Sequence, residues 1–362
     1  MITISLCMIV KNEEEVLGRC LDSIVDIVDE IIIVDTGSTD STKEIAEEYG
    51  AKIYDFQWVD DFSAARNYAF SKGTKEYLFW LDADDVILEE DRKKLKRVKE
   101  KMPKNIDVLM MKYNTGIKDD GEVMMTFYRE RLIKRDKNFK WVEPVHEYVN
   151  FSGKVVNSDI CITHKKNKKR SERNLRILEE YINNHKEGEL KARDFFYYAR
   201  ELYHLGYEEE AILNYERFFE IGLNHSSFYI DACIDLYKCY MNKGYEKKAI
   251  RTLYRSFEYG LPRAEICCVL GSHYKNRKEY DKAIFWYELA LRLKKPDNWG
   301  FVLHDCYGFV PCIQLSLLYS IKHKFNKAKE YNERAKKYKA NHPAVVKNTT
   351  LLEKISKKLE KT

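Results

Sequence analysis

The sequence predicts an α/β domain, a doubly wound sheet with an antiparallel extension, followed by an all-α domain of helical repeats. Three observations predict this order. Short apolar runs alternate with helical periodicity over the first hundred residues. Shorter alternating stretches follow, from Asp107 to about His164. Beyond about Arg170 the strand signals give way to a helical pattern that repeats along the chain.

The first strands and helices follow from the spacing of apolar residues. The runs at residues 2–10 and 30–35 are rich in β-branched side chains, as buried parallel strands are. Between them, apolar residues three or four apart predict a helix that begins near Asn12. The alternation continues with a helix, a strand, a helix and a strand, at residues 42–49, 51–56, 63–71 and 76–81. This βαβ pattern predicts the doubly wound sheet.

The antiparallel extension and the repeats complete the prediction. The pair Asp120-Gly121 is typical of a turn between antiparallel strands. Further along, a small residue follows a turn in four places, with intervals of 38, 34 and 45 residues, at Ala211, Ala249, Ala283 and Ala328. A turn-rich interruption at residues 295–300 explains the long third interval. We place the two domains at residues 1–165 and 171–362, with a plain helical bundle as the alternative for the second.

The composition indicates a folded protein that stays in the cytoplasm. Of 362 residues, 44% are hydrophobic and 33% charged, which excludes a disordered or collagen-like chain. The apolar run at residues 2–10 ends at Lys11-Asn12-Glu13 and lacks a basic leader, so we interpret it as a strand. Nine cysteines form no CxxC pair, which favours reduced, mostly buried thiols over a zinc ribbon or a disulfide scaffold. We expect no transmembrane segment.

Charge is divided unevenly between the two halves. Residues 1–160 carry 24 basic and 32 acidic side chains, a net −8, and residues 161–362 carry 39 and 26, a net +13. A basic half can attract nucleic acid, a membrane or an acidic partner. Lysines scattered over helix faces more often serve solubility, and no interleaved aromatic and basic recognition motif is present. We therefore expect no binding to nucleic acid.

Polar residues follow three of the predicted parallel strands, where ligands bind in open α/β sheets. These segments are residues 11–14, 35–41 and 82–85. The sequence contains neither GxGxxG nor GxxxxGK[ST], so a dinucleotide fold and a P-loop nucleotidase are not supported. The carboxylates of Asp82 and Asp84 suit Mg²⁺ or Mn²⁺ bound to a diphosphate. The alternative is an N-cap for a helix that begins near Glu89.

Four ordered motifs resemble family-2 glycosyltransferases, at residues 5–13, 33–42, 62–67 and 81–85. The resemblance covers about residues 1–164. The helical repeats look like those of glycosyltransferases with a tetratricopeptide-type domain, including the sublancin-type enzymes that glycosylate a bacteriocin peptide on cysteine. The resemblance implies the GT-A fold, a UDP-sugar donor, a divalent metal and inversion at the anomeric carbon.

The resemblance also implies roles for individual residues in the donor site. It implies contacts to the donor from Val10, Asn12, Glu13, Asp35, Arg66, Asp82, Ala83 and Asp84. Asp35 would bind the uracil or ribose, Asp82 the ribose and the metal's water shell, and Asp84 the metal itself. Arg66 would lie at the sugar or the diphosphate, where its guanidinium can donate to phosphate oxygens. Its alternative is a surface ion pair with Asp60 or Asp61.

An inverting displacement needs a base on the acceptor's side. The segment at residues 141–147 resembles the "HE" element of the same enzymes, so we assign His146 to the metal or diphosphate and Glu147, or Glu143, to the base. The alternative is a His–Glu pair that ties two strands together. His164 and the basic residues 165–170 would close a lid over the diphosphate or form a solvated linker.

The sequence therefore predicts a metal-dependent, inverting glycosyltransferase that moves a hexose or N-acetylhexosamine from UDP to a peptide or protein. A concave array of helical repeats is expected to receive that acceptor or to form a homodimer. One alternative is a glycosyltransferase of lipopolysaccharide core or another cell-surface glycan. The other is a scaffold with an inactive α/β half. An intact set of Asp35, Asp82 and Asp84 argues against the scaffold.

Overall fold

A computed structural model describes residues 1–118, 121–165, 172–186, 188–223, 226–296 and 300–359. Three expected features lie partly outside these residues. They are Asp120 of the turn pair, residues 166–170 of the basic segment and residues 297–299 of the interruption. The described chain divides into two compact units, Met1–Glu201 and Leu202–Thr362. The domain limits at 165 and 171 remain a prediction.

The first unit contains a mixed β-sheet and helices on both of its faces. Its strands are β1 (Ile4–Val10), β2 (Glu30–Asp35), β3 (Lys52–Asp55), β4 (Tyr77–Trp80), β5 (Asp85–Val86), β6 (Val108–Ile117), β7 (Val123–Lys134), β8 (Lys140–Val142), β9 (Tyr148–Asn150) and β10 (Val155–His164). Its helices are α1 (Leu17–Asp22), α2 (Thr42–Glu48), α3 (Phe62–Lys72), α4 (Glu89–Lys101) and α5 (Arg173–Asn184), followed by α6 (Ala192–Leu205), which runs past the unit's end.

The sheet has the predicted topology. The strand order is β3-β2-β1-β4-β7-β6-β10-β5, and β8 and β9 form a separate antiparallel pair. The first four strands are parallel, whereas β7 is antiparallel to both β4 and β6. These pairings confirm a doubly wound GT-A-like sheet with an antiparallel extension. One pairing in the extension is parallel, that of β10 with β6.

Alternate residues of the parallel strands pack into two apolar layers. In β2, Ile33 belongs to the layer that also contains Leu6 and Met8, and Ile32 and Val34 belong to the layer on the other face. All four of the strand's central residues are buried. A strand buried on both faces reads as a continuous apolar run in sequence, which is why the predicted strand matched the observed one.

The connection between β8 and β9 packs against two helices that follow the sheet in the chain. Val145 packs in a buried apolar cluster with Ile177 and Leu178 of α5. Tyr197 and Tyr198 of α6 pack against the same cluster. These two helices therefore complete the core of the first unit, although the sequence assigns them to the helical domain.

The second unit consists of packed helix pairs like those of tetratricopeptide repeats. Its helices are α7 (Glu208–Ile221), α8 (Ser226–Asn242), α9 (Glu246–Arg255), α10 (Ala264–Asn276), α11 (Tyr280–Arg292), α12 (Phe309–Ile321), α13 (Phe325–Tyr338) and α14 (Pro343–Leu359), with a short strand, β11 (Val302–Leu303). The long third interval between alanines comes from the connection between α11 and α12, where it was predicted. None of the helices in the described ranges has the length and apolar content to cross a bilayer.

One turn recurs before α7, α9, α11 and α13. The repeated alanines are fully buried, and the residue five positions before each alanine has a positive φ. These left-handed residues are Gly206, Gly244, Lys278 and His323. The amide that follows each one donates to a carbonyl five residues earlier, over 2.8–2.9 Å. An aromatic residue also follows each turn, but Tyr280 and Phe325 lie three positions before their alanines, whereas Tyr207 and Tyr245 lie four positions before theirs.

Alanine substitution should distinguish the glycine turns from the other two. A Cβ at Gly206 or Gly244 would meet no heavy atom within 4 Å, so the effect of alanine there is a backbone effect alone. We expect Gly206→Ala and Gly244→Ala each to lower the free energy of unfolding by about 1 kcal/mol. Lys278→Ala and His323→Ala should stay within about 0.5 kcal/mol of wild type, because those residues already carry a Cβ. Chemical denaturation measures the free energy of unfolding of all four variants. An equal loss of that free energy at the four positions would contradict the shared turn.

Candidate active site

The carboxyl ends of β1 and β2 meet through Val10 and Asp35, which are paired in register. Asp35 is 1% exposed, and its carboxylate accepts the amide N–H groups of Gly37 and Ser38 at 3.0 Å. It thereby fixes the loop after β2. Asp35 does not cap α2, whose N-cap residue is Ser41, and the amide of Thr42 at the start of that helix donates to Asp40 at 3.1 Å. The contact of Asp35 with uracil or ribose stays a prediction.

The loop after β1 is attached to the loop after β2. The side-chain oxygen of Asn12 accepts the amide of Thr39 at 2.8 Å, and the amide of Glu13 donates to the Thr42 hydroxyl at 2.8 Å. Asn12 itself has a positive φ of 53°. A polar cavity of about 280 Å³ is lined by this segment, residues 12–16, together with Asp40 and Asp84. Asn12 and Glu13, which are predicted to contact the donor, thus face one cavity with the predicted metal ligand Asp84, whereas Asp35 does not line it.

An acid–imidazole cluster follows β4. Asp84, Asp85 and His164 offer ligand atoms within 4.8 Å of one another. The cluster forms because β5 pairs with β10 so that His164 lies opposite Asp85. His164 Nδ1 is 3.2 Å from Asp84 Oδ1 and 3.2 Å from Asp85 Oδ1. The cap of α4 contains no side-chain hydrogen bond, so the N-cap alternative for these acids is wrong.

The charges in the cluster make it a candidate cation site. Burial lowers the pKa of His164, but the hydrogen bonds to Asp84 and Asp85 outweigh burial and raise that pKa to about 10. Without a cation the imidazole therefore carries both ring protons at neutral pH, and a cation that binds one ring nitrogen would displace the proton from it. Carboxylate oxygens suit Mn²⁺ and Mg²⁺, and the imidazole offers a nitrogen beside them, so the donor set fits a divalent cation.

Arg66 lies between two acids and two indole rings. Its guanidinium is 2.7 Å from Asp82 Oδ1 and 2.5 Å from Glu147 Oε1. The rings of Trp80 and Trp141 have their centroids 4.6 and 4.8 Å from its Cζ. Burial raises the pKa of Asp82, and the charges of Arg66 and Arg131 outweigh burial and lower it to about 2.

The surface alternative for Arg66 is wrong, because its side chain is only 7% exposed. Asp60 is paired with Arg176 instead, and Asp61 caps α3 by accepting the amide of Ala64. Glu147 is therefore a partner of Arg66, which it contacts through Nε, whereas Asp82 contacts Nη2. The predicted role of Glu147 as base stays a prediction.

The other two residues of the "HE" segment contact α6. His146 Nε2 is 2.8 Å from Glu201, and its ring stacks on Tyr197 with centroids 4.2 Å apart. Glu143 is paired with Arg193 at 2.6 Å, and burial, opposed by Arg193, raises the pKa of Glu143 to about 7. The alternative of a His–Glu pair is thus partly right, although it ties a loop to a helix.

The structure brings together some of the expected metal ligands and not others. Among the described residues, Asp84 belongs to the cluster that could share one ion, and Asp82 and His146 do not. His164 occupies the place expected for His146. Ala83 is buried in the turn between Asp82 and Asp84. The position of His164 at the carboxyl end of β10 was available from sequence, but its pairing with β5 was not.

Three comparisons place these features among known proteins. Residues 5–155 match the family model described as Glycosyl transferase family 2. A TPR repeat-containing protein of Synechococcus elongatus is 40% identical over 152 residues, which cover 42% of this chain and 36% of that protein. The SPbeta prophage-derived glycosyltransferase SunS of Bacillus subtilis is 28% identical over 251 residues, which cover 64% of this chain and 57% of SunS.

One solved structure is similar to part of this chain. Glucosyl-3-phosphoglycerate synthase from Mycobacterium tuberculosis, in complex with Mn²⁺, UDP and phosphoglyceric acid, has 23% identity and a TM-score of 0.28 over 32% of this chain and 44% of that one. The chain spans between about a third and just over half of the length of the two curated relatives described above.

Proposed function

We propose that this chain, which carries a family-2 glycosyltransferase domain at residues 5–155 followed by tetratricopeptide-like helices, is a metal-dependent, inverting glycosyltransferase. It would move a hexose or N-acetylhexosamine from a UDP-sugar to a peptide or protein. The observation that carries the proposal is the cluster of Asp84, Asp85 and His164 beside the cavity lined by residues 12–16. An acid cluster beside a polar cavity at a sheet's carboxyl edge suits a nucleoside diphosphate and its cation.

Asp84 and His164 are the residues that we propose to hold the cation, with His164 in place of His146. The bound cation would stabilise negative charge on the departing diphosphate. Asp84 keeps 21% of its side chain exposed and His164 keeps 23%, so both are open to a ligand. Arg66 and Asp82 border the same turn and would orient the sugar end of the donor.

Glu147 is the residue that we propose as the acceptor's base. Only its Oε1 is in contact with Arg66, and the arginine fixes the direction of the carboxylate. Glu143 and His146 are held by Arg193 and Glu201, which supports a role for them in positioning the loop that carries Glu147. We also propose a cytoplasmic location, because all nine cysteines are free thiols, as a reducing compartment requires.

The donor reaction can be tested on the purified chain. A panel of UDP-sugars is incubated with candidate peptides or with lipopolysaccharide core, in Mn²⁺, Mg²⁺ or a chelator. We expect release of UDP that depends on the cation, together with a sugar mass on a peptide. If only the lipopolysaccharide gains the mass of a sugar, the acceptor is a glycan and not a peptide. If UDP is released equally with the cations and with the chelator, the proposed dependence on a metal is contradicted.

The acceptor proposal depends on the repeats and can be tested by truncation. Helix pairs in such arrays present grooves that bind extended peptides. A chain that ends at Leu205 keeps α5 and α6, which complete the first unit's core around Val145. We expect this truncated chain to hydrolyse the donor at nearly the full-length rate and to lose at least about tenfold in transfer to peptide, a loss of 1.4 kcal/mol. Unchanged transfer would show that the repeats do not receive the acceptor.

A further inference from the structure

Asp85 is the most enclosed member of the acid–imidazole cluster. Its side chain is fully buried. Oδ1 accepts the Tyr113 hydroxyl at 2.7 Å and faces His164 Nδ1 at 3.2 Å. Oδ2 accepts the amide of Asp82 at 3.1 Å and Arg131 Nη1 at 3.1 Å. A carboxylate has about four lone-pair positions, so these four partners leave none for a metal ion.

Arg131 is also fully buried, and its charge is committed to this carboxylate. Nη1 donates to Asp85 and to the carbonyl of Trp80 at 3.0 Å. The guanidinium lies over the Trp80 ring, 3.6 Å from Cζ to the centroid, and over the Tyr113 ring at 4.5 Å. Nε and Nη2 have no hydrogen-bond partner within the described residues. A buried arginine with two unpaired nitrogens is destabilising unless its charge is neutralised, and Asp85 supplies the negative charge here.

We propose that Asp85, Arg131 and Tyr113 are positioning residues that orient His164 and the turn at residues 82–85 toward the cation, and that Asp85 is not itself a ligand. The inference rests on the function proposed above. Asp85 links the turn after β4 to the end of β10. Its carboxylate accepts the amide of Asp82 at the start of that turn and faces His164 at the end of the strand. Arg131 neutralises the charge of Asp85, and the Tyr113 hydroxyl contacts both the Asp85 carboxylate and the His164 imidazole.

The contacts at His164 determine which ring nitrogen is available. Nδ1 has three oxygen neighbours, the Tyr113 hydroxyl at 2.8 Å and the carboxylates of Asp84 and Asp85 at 3.2 Å. We assign the proton of the neutral imidazole to Nδ1 for this reason, which leaves the lone pair on Nε2. Fixing the tautomer of a histidine ligand through its other nitrogen is the usual action of outer-shell groups, and losing it weakens metal binding about 10- to 100-fold.

Two variants test the positioning role by Mn²⁺ affinity. Tyr113→Phe removes one hydroxyl and keeps both buried charges. The double variant Asp85→Asn with Arg131→Met removes both charges together, so neither is left unpaired. Tyr77→Phe is the matched control, because Tyr77 is equally buried in the sheet and its hydroxyl donates to the carbonyl of Ile106 at 2.8 Å. Titration calorimetry measures Mn²⁺ binding in the presence of UDP, and thermal unfolding checks each fold.

We expect Tyr113→Phe to bind Mn²⁺ about tenfold more weakly and the double variant about 10- to 100-fold more weakly, with the melting temperature of Tyr113→Phe close to that of Tyr77→Phe. The ¹⁵N shifts of His164 with Mg²⁺ and UDP should show a proton on Nδ1 and a cation-bound Nε2 in wild type, and a larger share of cation-free imidazole in Tyr113→Phe. If the double variant does not fold, Tyr113→Phe decides alone. Wild-type affinity in Tyr113→Phe overturns the inference and leaves the proposed function intact. A wild type that binds no Mn²⁺ overturns both.

Discussion

Replacing Asp84 with asparagine is expected to reduce cation-stimulated sugar transfer at least about 1000-fold, equivalent to roughly 4 kcal/mol in the transition state. Asparagine has nearly the same shape, but it lacks the charge that a divalent cation requires. Asp84 is the least committed acid of the cluster, since its carboxylate meets His164 at 3.2 Å and keeps 21% exposure. The rate of UDP release in saturating Mn²⁺ measures the loss.

A surface variant of the same kind separates the loss of a ligand from a general effect of charge. Asp159 lies on β10, the strand that ends at His164, but its side chain is 74% exposed and paired only with Lys94. Asp159→Asn should keep the wild-type rate and the wild-type affinity for Mn²⁺. Both variants should unfold within a few degrees of wild type. Full activity in Asp84→Asn would remove the metal from the proposed function.

The acids of the site could be predicted from sequence because they follow directly on a strand. Four buried apolar residues at 77–80 end at an acidic turn, and the position of a turn after a strand is a local property. Asp35 and the loop at residue 12 were found in the same way, since the carboxyl ends of neighbouring parallel strands meet at one edge.

The histidine of the cluster could not be chosen from sequence, because the choice depends on strand pairing. His146 follows β8 and has acidic neighbours in sequence, whereas His164 ends β10 and is followed by lysines. What separates them is that β10 pairs with the two-residue strand β5, which is too short to be recognised by alternation. His146 instead meets Glu201, 55 residues away on a helix. Long-range pairs of this kind leave no periodic signal.

The burial of Arg66 could not be predicted from sequence for the same reason, because it depends on partners that are distant in the chain. Arg66 lies in a helix whose other residues give a weak apolar pattern, and its two partners are 16 and 81 residues away. A sequence shows that an arginine is present, and only the fold shows that it is enclosed by two indole rings and two carboxylates. Its role in stability follows from that enclosure.

Arg66→Met is expected to lower the free energy of unfolding by about 3–5 kcal/mol, because it leaves Asp82 and Glu147 without their shared counter-charge. It should also reduce sugar transfer, since Asp82 borders the cation turn. Equilibrium denaturation at neutral pH measures the first effect. Arg176→Met is the matched control. Arg176 also pairs with two acids, Asp60 at 2.6 Å and Glu180 at 3.9 Å, but its side chain is 56% exposed, so we expect a loss of only about 0–1 kcal/mol.

The dependence of the free energy of unfolding on pH should identify Asp82 as one source of the stability that Arg66→Met loses. Arg66 helps to hold the pKa of Asp82 at about 2, below its usual value of 3.8, so the folded state favours the ionised carboxyl. The stability that comes from the lowered pKa of Asp82 is fully present above pH 4 and is lost as the pH falls toward 2. The stability difference between wild type and Arg66→Met should therefore narrow below pH 4, whereas the small difference for Arg176→Met stays small. A difference that is constant from pH 7 to pH 3 would show that Arg66 stabilises the fold by packing between Trp80 and Trp141 and not by charge.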